Sequence, residues 1–192
     1  TTEIYTLSLH DALPISPIKK VKNDYFTGPV TLREISGITK PSEHDIYHVT
    51  FKKSAKTKLH SHTGGQMLIV TRGVGTLVYY KKIGKGITKF KIEQTQRINL
   101  SRGDVVYIPP KILHTHGAYG NRNKANGKGT VFSHIAVNFY PTKNEKPKTV
   151  WYESDFRSNV TGKIPWNFVK SSHYIQNMIT NLMKLFLRCI AL

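Results

Sequence analysis

Apolar and polar residues alternate with a period of two along the middle of the chain. The pattern is clearest in TLREI (31–35), IYHVTFKK (46–53), QMLIVT (66–71), GTLVYYKK (75–82), TKFKIEQT (88–95), DVVYIP (104–109) and VFSHIAVNFY (131–140). Runs of this kind, separated by Gly, Pro, Asn and Lys turns, predict strands. Many short strands with such turns favour a sandwich or a closed barrel, so the fold class is all-β. The segment KKIGKG (81–86) is expected to tip a hairpin, and YGNRNKANGKG (119–129) to form a long surface loop. As a lid, the second loop would turn Arg122 and Lys128 towards an anionic ligand.

Helical periodicity enters only near the end. Tyr174, Ile175, Met178, Ile179, Leu182, Met183, Leu185 and Phe186 recur at helical spacing, which allows an amphipathic C-terminal helix. Lys184 and Arg188 interrupt it, leaving it too short and too charged for a bilayer, which needs roughly 20 mostly apolar residues. At the other end, TLSLHDALPI (6–15) reads as one translated frame of a sequencing adaptor, and His10 and Asp11 are therefore not read as catalytic. The expected organisation is a non-native leader over 1–16, one domain over 17–155, and a tail over 156–192 that is helical or out of frame.

Composition narrows the function. The formal charge is +18, yet the cations are spread along the chain and Lys outnumbers Arg 22 to 7. Phosphate forks and base readout favour Arg, and no helix-turn-helix, zinc finger or aromatic RNA-binding signature is present, so specific nucleic-acid binding is not expected. No membrane association is expected either. Cys189 is the single cysteine, so no intrachain disulfide can form and a reducing cytoplasm is permitted.

The candidate chemistry lies in LHSHTGGQMLIVTRGVG (59–75) and GDVVYIPPKILHTHGA (103–118). Residues two apart in a strand share a face, so His60 and His62 point the same way, about 7 Å apart. Gln66 keeps the even spacing beyond a turn that Gly64 and Gly65 allow. With His114 these make three imidazoles and an amide oxygen, a transition-metal donor set that suits Mn, Fe, Ni, Co or Zn. Gln in place of a carboxylate leaves a divalent ion its full charge and tilts the site from oxygen activation towards Lewis-acid chemistry. His116, two residues beyond His114, shares that face and is a candidate proton-transfer base titrating near the operating pH. His44 and His48 precede these segments without partner spacing, and His173 is in the tail; all three are read as structural or exposed. Met67 and Ile69, at odd offsets from Gln66, should face away from the donors.

These two segments resemble the paired motifs of the cupin superfamily. Ser54 stands at the first motif's opening Gly, His60 and His62 match, Gln66 replaces Glu, and Gly73 matches. In the second motif Gly103, Pro109 and His114 match, while Lys111 and Ala118 replace Gly and Asn. The closer resemblance is to small single-domain cupins with His-x-His-x-x-Gly-Gln and His-x-His-Gly-Ala, a group that includes Mn-dependent hydroxynitrile lyases and domains associated with carboxymuconolactone decarboxylases. It covers residues 23–154.

That resemblance implies a double-stranded β-helix, the cupin jelly-roll barrel, with a divalent metal, Mn or Fe foremost, on His60, His62, Gln66 and His114. It also implies that His134 stands near the metal, with His116 and His134 as catalytic residues acting on a small-molecule substrate, and that the protein is a homodimer. The function expected is Lewis-acid chemistry on a small carbonyl or hydroxy compound, including carbon–carbon lysis of the hydroxynitrile type. An Fe(II) dioxygenase for a small aromatic or diketone is one rival, and a non-catalytic small-molecule-binding barrel is another. Lys111 is expected to strain a turn that needs positive φ, with Pro109 and Pro110 stiffening the approach.

Overall fold

The structure is a computed structural model. It describes residues 19–20, 23–36, 43–52, 54–119, 131–143 and 145–165. Twelve strands form among them: β1 (Lys19–Lys20), β2 (Val30–Glu34), β3 (His44–Phe51), β4 (Leu59–His62), β5 (Gln66–Arg72), β6 (Val74–Ile83), β7 (Phe90–Ser101), β8 (Val105–Ile108), β9 (Leu113–Ala118), β10 (Phe132–Phe139), β11 (Thr149–Ser154) and β12 (Asn159–Ile164).

One sheet runs β1-β2-β3-β10-β5-β8, and the other six strands close on themselves in the order β11-β12-β7-β6-β9-β4. This is the jelly-roll arrangement expected. The main core lies between the two layers, around Phe51, Leu68, Leu77, Leu100, Ile108 and Phe132. A second core, Leu59, Val78, Tyr80, Ile92, Leu113 and Val160, fills the inside of the closed ring.

The second core explains a departure from simple alternation. Every residue of β9 is buried, although a strand with one wet face would alternate. Leu113 packs into the second core, while His114 and His116 point the other way, so both faces of β9 are covered. In β5 the alternation survives: Gln66, Leu68 and Val70 are buried while Met67 and Ile69 are only half-buried on the opposite face, as their odd offsets predict.

The β6–β7 hairpin turns at 84–89, where Gly84 takes φ +84°; Lys81, Lys82 and Ile83, expected at the tip, still belong to the strand. Three strands were not foreseen, the two-residue β1 and the last two. β11 bridges β4 and β12, and β12 in turn bonds β7, so strand structure runs on to Ile164, past the boundary drawn at 155. The expected helix over 174–186, the leader and, beyond Tyr119, the expected 119–129 loop with Arg122 and Lys128 lie outside the described residues. Among those described, no helix is long and apolar enough to cross a membrane.

Candidate metal centre

Cross-strand register assembles the site. His60 on β4 sits opposite His114 on β9 and opposite Trp151 on β11, while His62 pairs with Thr149. On the other sheet Gln66 pairs with Asn138. Gly64 and Gly65 let the chain pass from His62 to Gln66, for lack of space rather than for φ. A Cβ at Gly64 would lie 1.9 Å from the Phe139 carbonyl oxygen, and one at Gly65 2.2 Å from the Tyr107 hydroxyl.

All six predicted residues, His60, His62, Gln66, His114, His116 and His134, are buried. One donor atom each from His60, His114 and His116 lies within 4.8 Å of the others. The His62 ring centroid is 5.0 Å from that of His60 and 5.4 Å from that of His114. Hence His116, expected beside the metal as a base, stands inside the tightest histidine group, and two three-imidazole sets share His60 and His114.

The hydrogen bonds distinguish their ring nitrogens. His60 Nδ1 donates to the Lys58 carbonyl oxygen at 2.9 Å and His114 Nδ1 to that of Ile112 at 2.8 Å. A carbonyl can only accept, so each neutral ring carries its proton on Nδ1 and leaves a bare lone pair on Nε2. Thr149 Oγ1 holds His62 Nδ1 at 2.9 Å. Gln66 Nε2 donates to Asn138 Oδ1 at 2.7 Å, which fixes the amide plane with Oε1 on the other side. His62 Nε2, His114 Nε2 and Gln66 Oε1 are buried without a hydrogen-bond partner. His114 Nε2 and Gln66 Oε1 are acceptors, and two buried acceptors beside a further unpartnered ring nitrogen are costly unless something cationic satisfies them. The donor set therefore fits a divalent transition metal ion.

Electrostatics agree. Burial, with His114 nearby, pushes His62 down to about 3, and burial pushes His114 to about 4. Burial also lowers His60 well below its ordinary value, helped by His114, His62 and His116. All three are thus neutral and ligand-ready at neutral pH. His116 is likewise driven well down, by burial first and then by His134, His114 and His62. It does not titrate near neutrality, as its sequence position had suggested. It is instead coupled to His134, whose Nε2 lies 3.2 Å from His116 Nδ1, so one ring donates to the other. His134, held down by burial and by His48, is pushed to about 3.

A cavity of about 400 Å³ opens on His60, His62, Gln66, His116 and His134. His114 lies behind His60, its ring centroid 4.1 Å away. Sequence reasoning missed the walls. Trp151 stacks on His60 at 4.3 Å between centroids and Tyr25 packs on Trp151 at 4.8 Å; Tyr47, Leu32, Val49 and Ala136 complete an apolar lining. The alternation in TVWYES was the available signal, but it gave no partner strand. His44 and His48 lie on β3, away from this cavity's lining.

No protein-family model matches the chain. Over 114 residues it is 30% identical to an (R)-mandelonitrile lyase of Granulicella tundricola, a match covering 59% of this chain and 71% of that protein. Its structure is similar to that of a cupin-like protein from Thermotoga maritima, with a TM-score of 0.50 and 30% identity, covering 75% of this chain and 90% of the other.

Proposed function

The chain belongs to the cupin superfamily, and on that premise we propose that it is a metal-dependent lyase acting on a small aromatic hydroxy compound of the cyanohydrin type. The observation that carries the reading is the set of unpartnered buried donors, His62 Nε2, His114 Nε2 and Gln66 Oε1, beside a cavity walled by Trp151 and Tyr25. Similarity to a mandelonitrile lyase supports it.

His60, His62, Gln66 and His114 would hold the metal. Manganese or iron bound there would supply a Lewis acid for a substrate oxygen. Trp151 and Tyr25 receive the arene, and the apolar lining keeps water from the reacting centre. His116 takes the hydroxyl proton and shares it with His134 across their 3.2 Å contact. The bond between the carbinol and nitrile carbons breaks, its electron pair leaves with cyanide, and the carbonyl product forms. Cyanide then takes up a proton, so no oxidant or reductant is required. A homodimer and a cytoplasmic setting accompany the proposal; the single cysteine, Cys189, permits the second.

The test is metal analysis of the purified full chain, followed by turnover of mandelonitrile with and without oxygen. Near-stoichiometric metal, lost in a His60→Ala, His114→Ala double variant, and equal benzaldehyde release in air and under nitrogen are expected. Turnover that requires oxygen would favour the dioxygenase rival. No metal after loading with each ion would overturn the reading. His116→Ala should retain metal and lose turnover; loss of metal instead would assign the ion to His60, His114 and His116.

A further inference from the structure

The six-stranded sheet is apolar on both faces. Gln66, Leu68, His134 and Ala136 are buried on its inner face, so alternation puts Met67, Ile69, Ile135 and Val137 on the outer one. An antiparallel sheet with one wet face alternates apolar and polar residues, whereas a strand that is apolar on both sides is one that is covered on both sides.

The register lines these outer residues up in rows. Tyr107, Met67, Val137 and Ile46 pair in turn across β8, β5, β10 and β3. Ile35, just beyond β2, completes the row by donating its N–H to the Ile46 carbonyl at 2.7 Å. The neighbouring row runs Val105, Ile69, Ile135, His48 and Arg33. Of these ten side chains, Arg33 at the rim is the one that is charged, because burial, with Arg33 nearby, lowers His48 below its ordinary value. Val105, Tyr107 and Ile35 are nevertheless 59%, 56% and 38% exposed. Phe139 and His44 extend the face on one side. Ser133, Thr50 and Thr31 give it a hydroxyl rim on the other.

Size and charge indicate what covers it. Fifteen positions on a lattice of about 4.8 by 6.8 Å make about 490 Å² per copy, or about 1,000 Å² for a pair, the size at which specific interfaces begin. A face without carboxylates or lysines offers nothing to a charged partner, but it meets its own copy without repulsion. Two sheets pack face to face about 10 Å apart when their strands lie within about 30° of each other, and a two-fold axis is the commonest way to close such a contact.

We infer that the outer face of this sheet, centred on Ile135 and Val137, is where two copies of the chain pack together. The inference goes beyond the dimer that accompanies the proposed function by assigning it a surface, and it does not depend on the lyase reading. The paired face backs the one that carries Gln66, His134 and Asn138.

Light scattering on the full chain over a dilution series tests it. Twice the mass of one chain, falling towards one on dilution, is expected. A Val105→Lys, Tyr107→Lys variant should weaken self-association at least tenfold while keeping the wild-type melt. Val105→Lys alone, which leaves the ring contact between Tyr107 and Phe139 in place, gives the same reading should the double variant fold poorly. Ile83→Lys with Ile87→Lys makes the same chemical change on the exposed β6–β7 hairpin and should alter association less than twofold. Equal weakening by the two double variants would mean that added charge alone disperses the dimer, and the face would be rejected. A dimer untouched by Val105→Lys and Tyr107→Lys would place the contact elsewhere. A monomer at every concentration, the result expected if the segment after residue 165 covers the face instead, would also overturn the inference.

Discussion

Replacing Lys111 and Ser54 by glycine should stabilise the chain, although each change removes a side chain and adds nothing. The two residues have φ of +65° and +63°, and they occupy two places where the cupin motifs carry glycine and this chain does not. An L-residue in the left-handed region costs roughly 1–2 kcal/mol relative to glycine. Glycine's extra freedom in the unfolded chain gives back about 0.4–1 kcal/mol. Both side chains are exposed, so little packing is lost, and glycine retains the N–H that donates from position 111 to the His62 carbonyl at 2.8 Å. The net expectation is about 0.5–1 kcal/mol for each site, or about 2–8 °C in Tm for the double variant at this chain length. Thermal melts should be run on metal-free protein in chelator, because a bound ion would add its own linkage. Lys52→Gly is the control: Lys52 is exposed and outside the left-handed region, so it should lose a few tenths to 1 kcal/mol. A Lys111→Gly variant that melts lower, in step with the control, would refute the reasoning.

Three further outcomes are expected. Asn138→Ala frees the Gln66 amide to rotate and should weaken metal binding about 10–100-fold in chelator competition without unfolding the protein; unchanged affinity would mean that Gln66 Oε1 does not face the ion. Trp151→Ala removes the ring stacked on His60 and should raise KM for an aromatic substrate several-fold while sparing small aliphatic ones, since aromatic pairs are worth about 0.5–1.5 kcal/mol beyond area; equal losses for both substrate classes would deny it an arene-binding role. The metal-free chain should lose stability in acid: His62 and His134 at about 3 and His114 at about 4 stay neutral when folded, whereas the unfolded chain takes up those protons below about pH 6.5. Unfolding therefore binds protons, and the urea midpoint should be flat above pH 6.5 and fall steadily towards pH 4, by up to about 1.4 kcal/mol per unit for each histidine; a flat midpoint between pH 7.5 and 5 would mean the rings are already charged.

The convergence of the candidate donors was legible in the sequence because their geometry is local. His60 and His62 share a strand face by period alone, as do His114 and His116, and Gln66 follows a turn in which the Phe139 backbone leaves no room for a side chain at Gly64. The partners that orient them were not legible, because each lies across a register that no local pattern states. Thr149 holds His62 from 87 residues away and Asn138 holds Gln66 from 72. Trp151 reaches His60 only because β11 pairs with β4, and NVTGKI, with its Gly and Lys, gave β12 no strong strand signal. The low basicity of His116 was hidden for a similar reason. It follows from burial on both faces of β9, and that burial depends on the second core contributed by Val78, Tyr80, Ile92 and Val160.

The substitution of Gln for Glu has a consequence only when the cavity and the chain are weighed together. His60, His62, Gln66 and His114 contribute no negative charge, and none of the described residues lining the cavity is acidic. An ion held there would keep its full positive charge, unscreened by a carboxylate and surrounded by apolar walls where electrostatic interactions are stronger than in water. The chain's +18 adds a long-range field of the same sign. Such a site stabilises an oxygen that gains negative charge and makes oxidation of the ion harder. Both effects favour heterolysis, in which an electron pair leaves with an anion, over one-electron chemistry. Restoring the carboxylate with Gln66→Glu would act on exactly one of these terms, the charge at the donors, while leaving the aromatic walls and the His116–His134 pair in place. The lyase reading therefore depends on Gln66, the one donor of the four that is an amide and not an imidazole.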